Sequence, residues 1–280
     1  MPEPASYWAH GDAYERYMGR WSRRIAEPFV VALGAPAGLR WLDVGCGTGA
    51  LASAVLDLAA PASLVGVDPA EGFLETARAR VARRAAAVEF VRGDATRLPL
   101  DDDSVDAAVS GLVLNFVPSP EAAIAEMARV VRPGGVVAAY VWDYAEGMPL
   151  MSTFWDAAVE LDPDAEALDQ SARFTRWGPE FMRTLLEDAT GIAGPTVETG
   201  RVELDAVFAD FDDYWTPFLG GQGPAPAYAT SLAEVDRAAL RERVRAALPT
   251  AGDGAITLRL RAWTVRGEAE GTRSRPTMTP

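Results

Sequence analysis

The sequence predicts an α/β fold: a parallel sheet covered by helices on both faces. Three observations predict it. Short apolar runs alternate with helical patterns from residue 40 to residue 145. The first run, 41–44, leads directly into Gly45-Cys46-Gly47-Thr48-Gly49 and a helix opening at Ala50. Polar residues recur where the runs end, at Asp43, Asp68, Asp94, Ser110 and Asp143. Ligands of open α/β sheets bind beyond the carboxyl ends of the strands, so those residues share one functional edge.

The composition narrows the function classes. At 280 residues, with 49% hydrophobic and 24% charged residues, the chain buries a sizeable core. All 26 basic residues are arginine, a bias expected of a GC-rich bacterial genome. The net charge of −14 disfavours nucleic acid and anionic membranes as partners, since both need cationic surface. Cys46 is the one cysteine, which excludes an intrachain disulfide and a cysteine-based zinc site, and no metal is expected. No signal peptide or long apolar span is present, so a cytoplasmic location is expected.

In chain order, residues 1–35 are aromatic-rich and helical, with Tyr14, Tyr17, Met18 and Trp21 at helical spacing. They form either a packing helix or a lid over a ligand. Helix 50–59 comes after the glycine turn and is closed by Ala60-Pro61. Strand 63–67 ends at Asp68-Pro69, before a helix from 70 to about 84. Strand 88–91 ends at Gly93-Asp94-Ala95, and strand 105–109 leads into Ser110-Gly111-Leu112. Helix 119–131 is stopped by Arg132-Pro133-Gly134-Gly135, and a fifth strand spans 136–142. A helical insertion spans about 147–176, with its helix at 149–161. Helix 178–189, strand 197–208, an aromatic helix around 211–218, helix 231–247 and strand 255–266 complete the pattern. Residues 219–226 read as a flexible loop and 267–280 as a disordered tail.

The glycine turn admits two ligands. Gly45-x-Gly47-x-x-Ala50 formally satisfies the dinucleotide fingerprint, which suits an NAD-dependent oxidoreductase. A dinucleotide, however, brings a pyrophosphate toward Asp43, which repels it. S-adenosylmethionine brings an ammonium and a carboxylate instead, which suit an acid and backbone N–H groups respectively. Asp68, 19 residues beyond Gly49, stands where an acid accepts hydrogen bonds from ribose hydroxyls, or else caps the next helix. Asp94-Ala95 suits the adenine amino group and ring nitrogen.

Leu42-Asp43-Val44-Gly45-Cys46-Gly47-Thr48-Gly49, Val65-Gly66-Val67-Asp68-Pro69, Gly93-Asp94-Ala95, Leu98-Pro99-Leu100, Asp103-Ser104-Val105-Asp106 and Arg132-Pro133-Gly134-Gly135 occur in this order. Together they resemble class I S-adenosylmethionine-dependent methyltransferases of the ubiquinone/menaquinone-biosynthesis type. The resemblance implies a Rossmann-like, doubly wound sheet of seven strands with the last antiparallel. It implies a methyltransferase domain over 36–266 with its cofactor core at 40–145. Asp43, Gly45, Cys46, Gly47 and Gly49 would surround the methionine end, with Asp68 and Pro69 at the ribose. Asp94 and Ala95 would flank the adenine, and Ser110 and Leu112 would line the cofactor. The implied activity is in-line methyl transfer to a small-molecule acceptor; a non-catalytic S-adenosylmethionine-binding protein is the other reading of the same fold.

Four further residues invite roles. His10 is the only histidine and a candidate general base, or a surface residue. Asp143 is a candidate base or cation ligand, or a capping and ion-pairing group. Asn115 stands near the expected acceptor, or makes a turn hydrogen bond. Cys46 has no partner to make it a nucleophile and reads as a space-filler. Tyr14, Tyr17 and Trp21 would supply an aromatic wall for the acceptor.

Overall fold

The computed structural model describes residues 15–84, 87–169, 171–190, 197–220 and 223–269. His10 and Tyr14 lie outside them, as does most of the expected tail. The chain divides into two compact units. One comprises Met1–Pro28, Trp142–Gly178 and Arg201–Trp263; the other comprises Phe29–Val141, Pro179–Gly200 and Thr264–Pro280.

The strands are β1 (Arg40–Val44), β2 (Ser63–Asp68), β3 (Ala87–Arg92), β4 (Val105–Gly111), β5 (Val131–Trp142), β6 (Glu198–Phe208) and β7 (Ile256–Glu268). They form one seven-stranded sheet in the order β3-β2-β1-β4-β5-β7-β6. β1 pairs in parallel with both β2 and β4. It is therefore central, and Trp41, Leu42 and Val44 are at most 1% exposed. This explains the apolar residues on both of its faces, with Asp43 as the one buried charge. The final strand runs antiparallel, as expected. Ala269 exchanges hydrogen bonds with Gly134 and Gly135, while Arg261 pairs with Asp143 and Gly147, so partner numbers fall as the chain of β5 advances.

The helices are α1 (Arg20–Leu33), α2 (Ala50–Leu58), α3 (Glu71–Val81), α4 (Pro120–Val130), α5 (Pro149–Leu161), α6 (Pro179–Thr190), α7 (Phe211–Trp215), α8 (Pro224–Ser231) and α9 (Glu234–Ala247). Three segments differ from expectation. Pro224 lies in the expected loop but opens α8, because proline fits the first helical turn, where an N–H has no partner to lose. Arg132-Pro133-Gly134-Gly135 stops α4 but does not delay β5. Val131 already pairs with Val105, and Ala107 pairs with Val136, so residues 132–135 bulge out of the ladder. Gly134, at φ 74°, supplies the left-handed turn within the bulge. The apolar run from 136 is thus the later part of a strand whose first pairing lies before the bulge. β7 also runs to Glu268, past the expected start of the tail.

The first unit has an aromatic core. Phe154 is fully buried and stacks on Phe218 at 4.7 Å with an interplanar angle of 2°. Tyr17 meets Phe218 edge-on at 5.2 Å, and Trp21 meets Phe208 at 5.1 Å. The Tyr214 hydroxyl donates to Leu150 O at 2.8 Å. Arg20 lies over the Trp21 and Phe208 rings and pairs with Asp213 at 2.8 Å. Tyr17 and Trp21, expected as an acceptor wall, are 4% and 2% exposed and sit within this packing.

Candidate active site

The site is built in the second unit, where β1 ends. Gly45, Gly47 and Gly49 have φ of 71°, 51° and 81°, so three residues in five adopt the left-handed conformation. Gly45 is also sterically required. A Cβ there would stand 2.4 Å from Val113 Cγ1, so the residues after β4 press directly on the turn. Cys46 is 5% exposed and its sulfur would lie 3.0 Å from a Cβ on Gly66. Burial, with Asp43 and Asp68 nearby, pushes its thiol pKa well up, which keeps it protonated and inert.

The turn uses most of its own amides. Gly45 and Cys46 N–H groups donate to Val67 O, Gly49 to Cys46 O, and Gly47 to Asp68 Oδ2 at 3.0 Å. No side chain caps α2 at Gly49, and the helical ladder begins with Ser53 N donating to Gly49 O. A helix N-terminus with free N–H groups is suited to a carboxylate.

Asp43 is the unusual group. It is 1% exposed, and neither carboxylate oxygen meets a donor in full hydrogen-bond geometry, although the Ala52 backbone N–H lies close enough to favour the charged form. Burial raises its pKa to about 7; the Ala52 amide eases that rise and the Asp68 charge adds to it. A buried carboxylate without a side-chain donor is a standing penalty unless a cation arrives to pair with it. An incoming pyrophosphate would make that penalty worse, which disfavours the dinucleotide reading.

Asp68 is 7% exposed, and both its oxygens accept backbone bonds. Oδ2 holds Gly47 N–H, and Oδ1 holds Ala70 N–H at 2.8 Å. Burial raises its pKa despite those two amides. Its capping role is thus present, and each oxygen keeps a second lone pair for another donor. Pro69 comes next, at the start of the turn into α3. Asp94 is exposed; its Oδ1 accepts from both the amide and hydroxyl of Thr96 at 2.8 Å. Ala95 sits inside that turn. Ser110 is fully buried and donates its hydroxyl to Val44 O at 2.9 Å, so its side chain ties β4 to β1 rather than facing the cradle. Leu112 adopts φ 63° and its N–H bonds Tyr140 O, a bend that redirects the chain after β4. Among the described residues, no group of three or more acids, histidines or cysteines is arranged to hold a metal.

Two candidates need separate treatment. Asp143 belongs to the first unit and is 3% exposed. Its Oδ2 accepts from Arg261 Nε at 2.6 Å, and its Oδ1 accepts from the amides of Ala145 and Glu146. Such a carboxylate is an ion-pairing turn anchor, without a free lone pair suited to a general base. Asn115 comes after β4 within a short 3₁₀ turn (Leu114–Phe116); it is 8% exposed, and its side-chain amide makes no hydrogen bond. The turn hydrogen bond expected of it is absent.

A family model described as a methyltransferase domain matches residues 42–139, the span that holds this cradle. That span of the chain carries a methyltransferase domain. An uncharacterized 37.1 kDa protein of a Streptomyces fradiae transposon is 34% identical over 64% of this chain and 49% of its own length. The demethylmenaquinone methyltransferase of Renibacterium salmoninarum is 39% identical over 41% of this chain and 45% of its own. The chain thus aligns with about half the length of each of these relatives. Haemonchus contortus phosphoethanolamine N-methyltransferase 2, solved with phosphomonomethylethanolamine and S-adenosylhomocysteine, shares the fold. Its TM-score is 0.55 at 15% identity, over 94% of this chain and 57% of that one. The donor set fits S-adenosylmethionine: a buried acid with no side-chain donor, a helix N-terminus that no side chain caps, and a second acid with lone pairs to spare. Among the described residues, no helix is long and apolar enough to cross a membrane.

The doubly bonded state of Asp68 sharpens one expected result. Asp68→Asn keeps an acceptor but removes the charge. S-adenosylmethionine binding should weaken by about 1.5–3 kcal/mol, the worth of hydrogen bonds to a charged group. Asp68→Ala should weaken it further and also lower the melting temperature, because Gly47 loses its tether. Calorimetry of both variants checks this; unchanged affinity would remove Asp68 from the cofactor site.

Proposed function

We propose that this protein transfers the methyl group of S-adenosylmethionine to a small molecule. The observation that carries the reading is Asp43: a buried carboxylate with no side-chain donor, behind a glycine turn and beside the N-terminus of α2, which no side chain caps. That pairing of an acid with helix amides matches the ammonium and carboxylate of the methionine end. Asp68 would take the ribose hydroxyls and Asp94, through its second oxygen, the adenine amino group. When bound, the cofactor supplies a methyl group already activated for in-line displacement. The chain's task is to fix the donor, align the acceptor and exclude water.

The acceptor class rests on charge and on the relatives. A chain of net charge −14 without lysine is poorly suited to hold a polyanion. Two of the similar proteins are named as methyltransferases of small molecules, demethylmenaquinone and phosphoethanolamine. Calorimetry on the full chain should show S-adenosylmethionine binding and no comparable NAD binding; the reverse would overturn the cofactor assignment. With methyl-labelled cofactor, the label should pass to a small-molecule fraction of a bacterial extract. Label recovered in RNA or protein instead would overturn the acceptor class.

A further inference from the structure

We propose that the outer edge of β6 pairs with the same edge of a second copy of this chain, antiparallel and centred on Val202. The pairing uses neither the cofactor cradle nor the acceptor, so it stands apart from the methyltransferase reading.

β6 ends the sheet. β7 lies on one side of it, and among the described residues no strand lies on the other. Its pairing with β7 is antiparallel. Glu198 meets Arg266, a Cβ on Gly200 would stand 3.1 Å from Thr264 Oγ1, and Asp205 meets Arg259, so partner numbers fall as β6 advances. Backbone N–H and C=O groups of alternate residues therefore point away from β7, toward the open side. The two edges of the sheet are unlike. β3 has six residues, whereas β6 has 11 and no proline. A short strand or a proline blunts an edge; a long edge strand with neither is a template for another strand.

The side chains of β6 select the partner. Val202, Leu204, Ala206 and Phe208 are buried, and Arg201, Glu203, Asp205 and Val207 are exposed. A second copy paired antiparallel must keep those two faces aligned, since a slip of one residue turns every side chain to the other face. Odd-numbered residues therefore meet odd-numbered ones. Centred on Arg201, Glu203 or Asp205, a charge would meet itself; centred on Leu204, Glu203 would meet Asp205. Centred on Val202, Arg201 of each copy meets Glu203 of the other, and Thr199 meets Asp205. That register sets opposite charges face to face and no like charges. On the buried face Val202 meets Val202, and Gly200, with no side chain, leaves room for Leu204. Residues 198–206 of each copy then overlap, a span of about 30 Å. Arg201 already lies 3.5 Å from Glu203 of its own strand, and its side chain is 60% exposed. Such exposed pairs contribute little affinity, so the backbone ladder binds and the charges choose the register. Each copy has one β6 edge, and the contact uses both up, so assembly closes at two chains.

The test measures the mass of the full chain by sedimentation at about 1–100 μM, the range in which a modest interface shows its equilibrium. The wild type should pass from the mass of one chain to that of two. Arg201→Glu and Glu203→Arg should each stay at one chain, because each sets two pairs of like charges face to face. Mixed in equal amounts, the two variants should reach two chains, because the altered charge of each meets its opposite in the other. Both positions are exposed, so each variant should melt within about 2 °C of the wild type at the lowest concentration. Hydrogen exchange of the wild type needs no variant to fold: amides within 198–206 should exchange more slowly at the highest concentration than at the lowest, and those of β3 should not. A wild type of one-chain mass throughout, exchange in β6 that ignores concentration, or assemblies larger than two would overturn the proposal. Two-chain mass kept by both single variants would place the interface elsewhere, and a mixture that stays at one chain would reject the register centred on Val202.

Discussion

Replacing Asp43 with asparagine stabilises the ligand-free protein at pH 8 and weakens its hold on S-adenosylmethionine. Both effects come from one buried charge. The carboxyl's pKa rises from 3.8 to about 7 on folding, chiefly through burial. The folded state therefore binds a proton that the unfolded state has released between those two values. Stability falls as pH rises through that window, and the loss is complete above pH 7. A shift of that size corresponds to about 4 kcal/mol at its upper limit. Asparagine fills the same space without the charge, so Asp43→Asn should escape the loss and melt above the wild type at pH 8. At pH 4 the two should melt alike. Binding runs the other way. The wild type should bind S-adenosylmethionine more weakly as pH drops below 7, approaching tenfold per unit, because the carboxylate must shed its proton to pair with the ammonium. The variant should bind about 10- to 100-fold more weakly at pH 8 and show no such pH dependence. Paired melting curves and calorimetry at several pH values check this. An Asp43→Asn protein less stable than wild type at pH 8 would reject the orphaned-carboxylate account.

Gly45→Ala should abolish cofactor binding and destabilise the fold by about 2–4 kcal/mol. Two separate strains combine. At φ 71° a Cβ is disfavoured by the backbone itself. It would also stand 2.4 Å from Val113 Cγ1, well inside contact distance. The strains can be separated because the clashing atom belongs to a side chain. In the double variant Gly45→Ala/Val113→Ala the clash disappears and the backbone strain stays. The double variant should therefore be more stable than the sum of the single losses, by about 1–2 kcal/mol. Strict additivity in denaturant unfolding would show that Val113 does not press on the turn. At Gly47, where no atom stands within 4 Å of a Cβ, alanine should meet only the backbone strain.

Much of the fold was legible in the residues because local chemistry dictates it. Apart from Asp43, the buried part of β1 is apolar, as a central strand must be, and the glycines after it announce a turn that only they can make. The alternation of strands and helices from 40 to 145 could be read from period and punctuation. The segment 132–135 was not legible in this way. Proline and two glycines stop a helix in either case, and whether the next strand has begun depends on Val105, a residue far away in the chain. Likewise Pro224 fits a loop or a first helical turn equally well, and the packing of residues 225–229 decides between them: Ala225, Pro226, Tyr228 and Ala229 are buried.

The candidate site divides along the same line. Asp43 and the glycines lie on one strand–turn–helix unit, so their spacing fixes the geometry of the turn, and Asp68 ends the next strand beside it. That part the sequence determined by itself. Which polar groups are already occupied is a matter of long-range partners, and only the tertiary structure decided it. Asp143 meets Arg261, 118 residues away, and is committed to that pair. Ser110 gives its hydroxyl to Val44, across 66 residues. Tyr17 and Trp21 are drawn into an aromatic core with Phe218 and Phe208. Asp43 and Asn115 are left with no side-chain partner. A polar side chain looks the same in a sequence whether it is satisfied or waiting; burial and the positions of its neighbours separate the two.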